Sequence, residues 1–297
     1  MSQNQLETTS YDIENEQEVY KNTNLLSRMY SKKKVFISFL IIVFVIIIGI
    51  AAPWIAPHDP NEPYFDALLQ PPSAEHWLGT DNLGRDTFSR LVYGTRVTLQ
   101  VATIAVSITL VIGTIIGIIA GYVGGIVDNI LMRIMDVLLA MPSIILAMAI
   151  VAILGPSLTN AMIAVGISSI PSFARLTRSA TLSVKSLTYV EASHAIGTSH
   201  ARIIFKQILP NIMSTILVYA SLNVGIAILD TAALSFIGLG AQPPTAEWGA
   251  MLSDGKDYIK QAWWLVTFPG VAITIVVFAF NIFGDGLRDI YDPKAEE

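Results

Sequence analysis

EASHAIGTSHARIIFKQILPN, residues 191–211, is a polar and weakly basic stretch set between long apolar runs, and its character decides how the rest of the chain is placed. Thr188 and Glu191 have capping-box spacing, in which Thr188 accepts an orphan backbone N–H at a helix start and Glu191 reaches back to another. Tyr189, Ala192, Ser193 and Ile196 recur at i, i+3, i+4 and i+7, giving a short helix one small, mostly apolar face with Glu191 and His194 off it. Gly197 suits a left-handed position after that helix, where a Cβ would be strained. Thr198 or Ser199 can cap a second helix, and Pro210 marks its end or a kink. The pattern predicts helix, glycine turn, helix: a docking knob between two apolar segments.

The surroundings of that stretch are those of a membrane protein. Over 297 residues, 53% are apolar and 14% charged, with a mean hydropathy of +0.58, too apolar for a soluble domain of this size. The absence of cysteine excludes disulfides and any Cys-based metal or redox site. A net charge of −5 and a mildly acidic balance argue against a nucleic-acid partner, since phosphate binding calls for an excess of Lys and Arg.

Taken in order, residues 1–34 form a cytoplasmic tail, polar and acidic over 1–24 and predicted to be largely disordered, with Arg28, Lys32, Lys33 and Lys34 at its end. Residues 35–52 contain Ser38 as the only polar side chain and make a first span, its start held inside by the basic cluster. A cleavable signal peptide is disfavoured by the long preceding region. Residues 53–96 form an outer loop with six prolines, six acids and three arginines. Residues 97–293 hold five further spans, with the knob at 186–210, and 294–297 are a C-terminal tail. The third span, 127–153, is predicted to be kinked at Pro142, with Arg133 paired to Asp136 at the inner interface. The whole is an all-α membrane fold of six transmembrane helices with both termini cytoplasmic. That topology puts thirteen Lys and Arg inside and five outside, and all five tryptophans on the outer side, several as interfacial anchors.

Several segments carry a family resemblance. Glu191-Ala192-Ser193, Gly197 and Leu209-Pro210 resemble the EAA loop of membrane subunits of binding-protein-dependent ABC importers, with Ser193 where the pattern has its second Ala and Gln207 where it often has Ile. HWLGTDNLGRD at 76–86, followed by R-L-x-Y-G-x-R, is similar to the outer loop of the C-type subunit of dipeptide, oligopeptide and nickel importers. The third-span run 128–142, the second outer loop at 233–249 and the ending 284–293 match the same subfamily, so the resemblance covers about residues 30–293. It implies the type I permease fold, with Glu191, Ala192, Ser193, Gly197, Leu209 and Pro210 coupling to an ATPase. It also implies a related second permease subunit, two ATPase subunits carrying ATP and Mg, an external substrate-binding protein, a peptide cargo, and residence in a bacterial inner membrane.

Other candidate residues come from patterning alone. Gln100, Thr103, Ser107, Thr114, Gly117 and Gly121 share one side of the second span, Gly113, Gly117, Gly121 and Gly125 form a Gly-x-x-x-Gly series, and the face suits either helix packing or a translocation path. Asp230 ends the fifth span, 211–229, as a proton or substrate-amine site or as an interfacial acid bonded to nearby N–H or hydroxyl groups. Asp81, Asn82 and Asp86 lack the regular oxygen spacing of a Ca²⁺ loop, and no metal site is expected. No phosphate-binding loop and no nucleophile with a base are present, so the chain is expected neither to bind ATP nor to catalyse. Nickel, a metal chelate or another peptide-like solute is the alternative cargo, and a proton-coupled carrier using Asp230 is the alternative class.

Overall fold

The structure, a computed structural model, describes residues 32–291; the tail 1–24, Arg28 and the ending at Asp292 and Pro293 lie outside the described residues. Among the described residues the regular structure is helical: α1 (Lys33–Ile55), α2 (Thr87–Val123), α3 (Gly125–Leu139), α4 (Ser143–Leu154), α5 (Leu158–Lys185), α6 (Thr188–Ala195), α7 (His200–Ile203), α8 (Leu209–Phe236), α9 (Trp248–Gly255) and α10 (Trp264–Tyr291). Helices satisfy every backbone group internally, which is what an apolar medium demands. Four stretches, Lys33–Ile55, Thr87–Val123, His200–Phe236 and Trp264–Ile290, are long and apolar enough to cross a membrane, and α3 with α4 makes a fifth candidate bent by 90°. α5 is also 28 residues long but too polar to count by composition, because it carries Arg175, Arg178, Lys185 and many hydroxyls. Its apolar surroundings come from α2, α4 and α8, which pack along it.

Several expected boundaries shift, each for a local reason. α2 starts at Thr87, so residues 87–96 are helix rather than outer loop; Asp86 caps it, accepting from the Ser89 N–H at 2.7 Å. The third span is broken, not kinked. Pro142 is the N-cap of α4, and a proline both lacks a donor and pushes the residue before it out of helical geometry. Pro210 does the opposite of ending its helix: a π turn over Ile204–Ile208 joins α7 to α8, and the Leu209 N–H reaches the Ile204 carbonyl. That wider turn relieves the clash of the Pro210 ring with the preceding turn, and the Asn211 side-chain amide donates to the Gln207 carbonyl beside it. Residues 284–289, with Asp285, Arg288 and Asp289, form the last turns of α10.

The centre of the fold is a seam between α2 and α5. A Cβ on Gly113 would lie 3.0 Å from Phe173, on Gly117 2.6 Å from the Ala174 carbonyl oxygen, and on Gly121 2.9 Å from that of Arg178. From the other side Gly166 lies against Ala105 and Ile108. The Thr109 hydroxyl donates to the Ala105 carbonyl in its own helix and to the Gly166 carbonyl across the seam, at 3.0 and 2.8 Å. Lipid gives no hydrophobic drive for helices to associate, so such close backbone approach and shared hydrogen bonds supply the attraction. Gly117→Val is therefore expected to lower the thermal midpoint and folded yield in detergent, at an overpacking cost of about 1–3 kcal/mol. Gly270→Ala, whose Cβ would meet nothing nearer than 3.9 Å, should leave both unchanged.

Candidate functional site: the polar loop and the opposite cap

The polar stretch folds as helix, glycine turn, helix, but not through the expected caps. Leu187, not Thr188, occupies the N-cap of α6, and no side chain caps it; Ser199 holds the N-cap of α7, also without a side-chain bond. The turn between them rests on Gly197, at φ +77°. Its N–H donates to the His194 carbonyl and the Thr198 N–H to the Ser193 carbonyl, both at 3.0 Å, which is the double bond pattern of a Schellman turn. The side that enters the protein is also different. Tyr189 and Ile196 are exposed, and Val190 from α6, Ile203 and Ile208 are fully buried in the main core with Phe173, Ile212 and Ile216. The loop is thus rooted in the bundle by three aliphatic pegs, while Glu191 and Ala192 stay exposed.

Ser193 and Gln207, the two departures from the family pattern, meet: the Gln207 amide donates to the Ser193 hydroxyl at 2.7 Å, and that hydroxyl donates to the Tyr189 carbonyl at 2.9 Å. The Asn211 amide reaches the Tyr189 hydroxyl at 3.1 Å, so both arms of the loop are cross-tied at the start of α8. Beneath the loop, Arg178 forks onto both oxygens of Asp128, and Arg175 pairs with Asp136. This corrects the expected Arg133–Asp136 pair: Asp136 faces α5 and is taken by Arg175, while Arg133 is exposed on α3 and has no ion pair among the described residues. The two arginines of α5 therefore hold α3 in place beside the 90° corner.

The face of α2 singled out by pattern divides in two. Gly117 and Gly121 are buried in the seam with α5, and the Thr114 hydroxyl is buried without a hydrogen-bond partner. Gln100, Thr103 and Ser107 are exposed. Gln100 and Thr103 border an open cleft of about 640 Å³, shared with Ile46 and Ile50 of α1 and with Thr159 and Met162 of α5. Asp230 lies inside α8 rather than at its end, with two more turns following, and its Oδ2 is buried without a hydrogen-bond partner among the described residues.

At the opposite end, the two connections 56–86 and 237–263 knit into one cap that patterning did not reveal. Asp81 accepts from the Leu83 and Arg85 N–H groups at 2.8 and 2.9 Å and from Arg85 Nε at 2.6 Å. Arg85 extends to Asp254, and Arg90 donates to the Pro60 and Pro244 carbonyls. Asp86 accepts from Ser89 with one oxygen and lies 3.0 Å from His76 Nδ1 with the other. His58, His76 and Asp86 bring three donor atoms within 4.8 Å of one another. Both Asp86 oxygens are nonetheless engaged in holding the turn, beside the guanidinium groups that converge on Asp81. Trp248 and Trp264 are buried pegs rather than interfacial anchors: their indole N–H groups donate to the Leu91 and Thr80 carbonyls at 3.0 and 3.1 Å. Trp54, Trp77 and Trp263 remain exposed. Glu247, buried and capping α9 through the Gly249 and Ala250 N–H groups, has its carboxyl pushed up by burial. The Gly–Arg–Asp spacing around residue 85 was the one signal in the sequence that could have pointed to this cap.

Among the described residues the chain is a helical bundle with several candidate spans, a rooted polar helix-turn-helix at one end and a knitted cap at the other, the build of an integral membrane protein. Residues 113–297 match the binding-protein-dependent transport system inner membrane component family, and the chain belongs to it. Residues 25–72 match the N-terminal TM domain of oligopeptide transport permease C. The dipeptide transport system permease protein DppC of Escherichia coli (strain K12) is 51% identical over 271 residues, 89% of this chain and 90% of that one. The di/tripeptide transport system permease protein DppC of Pseudomonas aeruginosa (strain UCBPP-PA14) is 47% identical over 86% of each chain. The glutathione transport system permease protein GsiD of Shigella flexneri serotype 5b (strain 8401) is 49% identical over 86% of this chain and 84% of its own. A chain from inward-facing structures of the MetNI methionine ABC transporter superposes with a TM-score of 0.57 at 22% identity, covering 69% of this chain and 98% of that one, and so shares the fold.

Asp86→Ala removes both the α2 cap and the His76 partner. It is expected to cost about 1–2 kcal/mol through the cap alone, seen as a lower thermal midpoint of the purified protein, with Asp86→Asn falling between it and the unsubstituted chain.

Proposed function

We propose that this chain is one of two related membrane subunits of an ATP-driven importer of dipeptides or short oligopeptides. In this reading it crosses a bacterial inner membrane six times with both termini inside, and receives solute from an external binding protein. ATP and Mg belong to two separate ATPase subunits, and this chain performs no hydrolysis of its own. The cargo assignment draws on relatives whose names specify dipeptides and di/tripeptides over nearly their whole length. The observation that carries the coupling role is the rooted loop: Glu191 is exposed with no partner for its carboxylate among the described residues, on a short helix pegged into the core by Val190. A push on such a helix moves the bundle instead of bending a loop. Residues 186–210 thereby link the ATPases to the spans.

Asp230 is the only carboxylate in α8, and a charge facing lipid costs about 2.5–3.5 kcal/mol on an insertion scale. Its place between the exposed Ile226, Leu229 and Phe236 suits a face of α8 turned to the second subunit or to the solute path.

Cells dependent on this permease should take up a labelled dipeptide, with excess unlabelled dipeptide competing and nickel not. Gly197→Val strains the left-handed turn by about 1–2 kcal/mol, and should abolish that uptake while the ATPase subunits still co-purify. Normal uptake by this variant would remove the coupling role from the loop, and competition by nickel alone would reassign the cargo. Topology is open to a direct check in the Cys-free background: Ser73→Cys and Lys260→Cys should react with an impermeant maleimide in spheroplasts, and Ser199→Cys only after the membrane is opened. Labelling of Ser199→Cys in sealed spheroplasts would invert the orientation.

A further inference from the structure

Where α2 ends, its last turn meets both arms of the coupling loop through a single side chain. Tyr122 is 7% exposed. Its hydroxyl lies 2.7 Å from His200 Nδ1 and 3.1 Å from His194 Nε2. The three rings contact one another, with centroids 5.8 Å apart for Tyr122 and His194, 5.7 Å for Tyr122 and His200, and 5.3 Å for the two imidazoles. Lys185, the last residue of α5, donates to the Tyr122 carbonyl at 2.6 Å and sits 5.6 Å from the centre of its ring. One phenol has one proton to give and lone pairs to accept with, so it can donate to one imidazole while accepting from the other.

The geometry follows from the Gly197 turn. His194 precedes that glycine by three residues and His200 follows it by three, so the Schellman turn folds one imidazole from α6 and one from α7 onto the same oxygen. A loop held through one arm could pivot; held through both, its helices keep a set angle to the end of α2. α2 itself has no proline and no break across its 37 residues, about 55 Å at 1.5 Å per residue. Its other end carries the Asp86 cap, Arg90 on the Pro60 and Pro244 carbonyls, and Trp248 on Leu91. One unbroken helix therefore joins the coupling loop to the outer cap.

We propose that Tyr122 is the positioning residue that keys the coupling loop to α2, so that displacement of the loop is delivered along this helix to the outer cap; the proposal rests on the coupling role given above to residues 186–210. Tyr122 touches neither solute nor nucleotide. It acts by fixing the angle between the loop and the helix that carries the motion.

The test uses the complete transporter, with both membrane subunits, its ATPases and its binding protein, reconstituted in vesicles and assayed for solute moved per ATP hydrolysed. Tyr122→Phe keeps the ring and its lysine contact and loses only the hydroxyl. ATP hydrolysis should persist near the unsubstituted rate while solute moved per ATP falls about fivefold, the scale set by one net hydrogen bond. Adding His194→Phe and His200→Phe to Tyr122→Phe should lower the ratio little further, because all three substitutions break one junction. An unchanged ratio in Tyr122→Phe, or a parallel fall in hydrolysis and transport, overturns the proposal. If Tyr122→Phe does not assemble, the pair His194→Leu with His200→Leu keeps the phenol in place, offers it no hydrogen-bond partner and decides the matter: a reduced ratio supports the junction, an unchanged one removes it. Gly197→Val serves as the control for the underlying role. If it blocks transport and Tyr122→Phe is silent, only the junction falls; if both are silent, the loop does not couple.

Discussion

The fold depends on how closely α2 and α5 can approach. Three glycines, about one per turn along the C-terminal half of α2, bring its backbone against Phe173, Ala174, Thr177, Arg178 and Thr181 of α5, and Gly166 of α5 makes the close approach at the other end of the contact. With those two helices fixed, Thr177 and Thr181 of α5 are buried against α2, while Arg178 is half-buried and Arg175 stays exposed. Arg175 and Arg178 then have a use: they reach out to Asp136 and Asp128 and hold α3 below its sharp corner. A polar helix at the centre and an apolar periphery are two sides of the same packing solution.

The two ends of α2 are held in different ways. At one end its first turn is locked by Asp86 and by arginines that bind carbonyls and carboxylates of the connections 56–86 and 237–263. At the other its last turn meets the polar loop, itself rooted by Val190, Ile203 and Ile208. Interiors packed this tightly do not absorb small displacements; they pass them on as movements of whole elements. In the loop Val190, Ile203 and Ile208 face inward and the hydrogen-bonded Ser193 and Gln207 are half-buried, while Glu191, Tyr189 and Ile196 face out.

Proline illustrates why local rules place the corners of this chain only partly. Pro142 breaks a helix, Pro171 and Pro269 lie within helices, and Pro210 is absorbed by a π turn. Each lacks the same donor and carries the same ring. What differs is the helix around each ring: at Pro210 the preceding turn is widened to a π turn over Ile204–Ile208. The tryptophans divide likewise: the chain offered five outer ones, and the fold buried two as pegs because Gly94 and Gly79 leave room for an indole ring.

By itself the sequence determined the membrane character, the helical class, the position of the polar knob and the need for glycine at 197. These rest on composition, apolar run length and a backbone angle that a side chain would strain, all of which are local properties. Only the tertiary structure decided which polar groups meet. Asp136 turned to Arg175 instead of Arg133, Asp81 and Asp86 were spent on the turn before α2, Ser193 found Gln207, and Tyr122 found two histidines more than seventy residues away. A charge or hydroxyl in an apolar setting must find a partner, but the periodicity of its own helix says only which side it leaves from. The partner is set by how α2, α5 and the loop pack against one another.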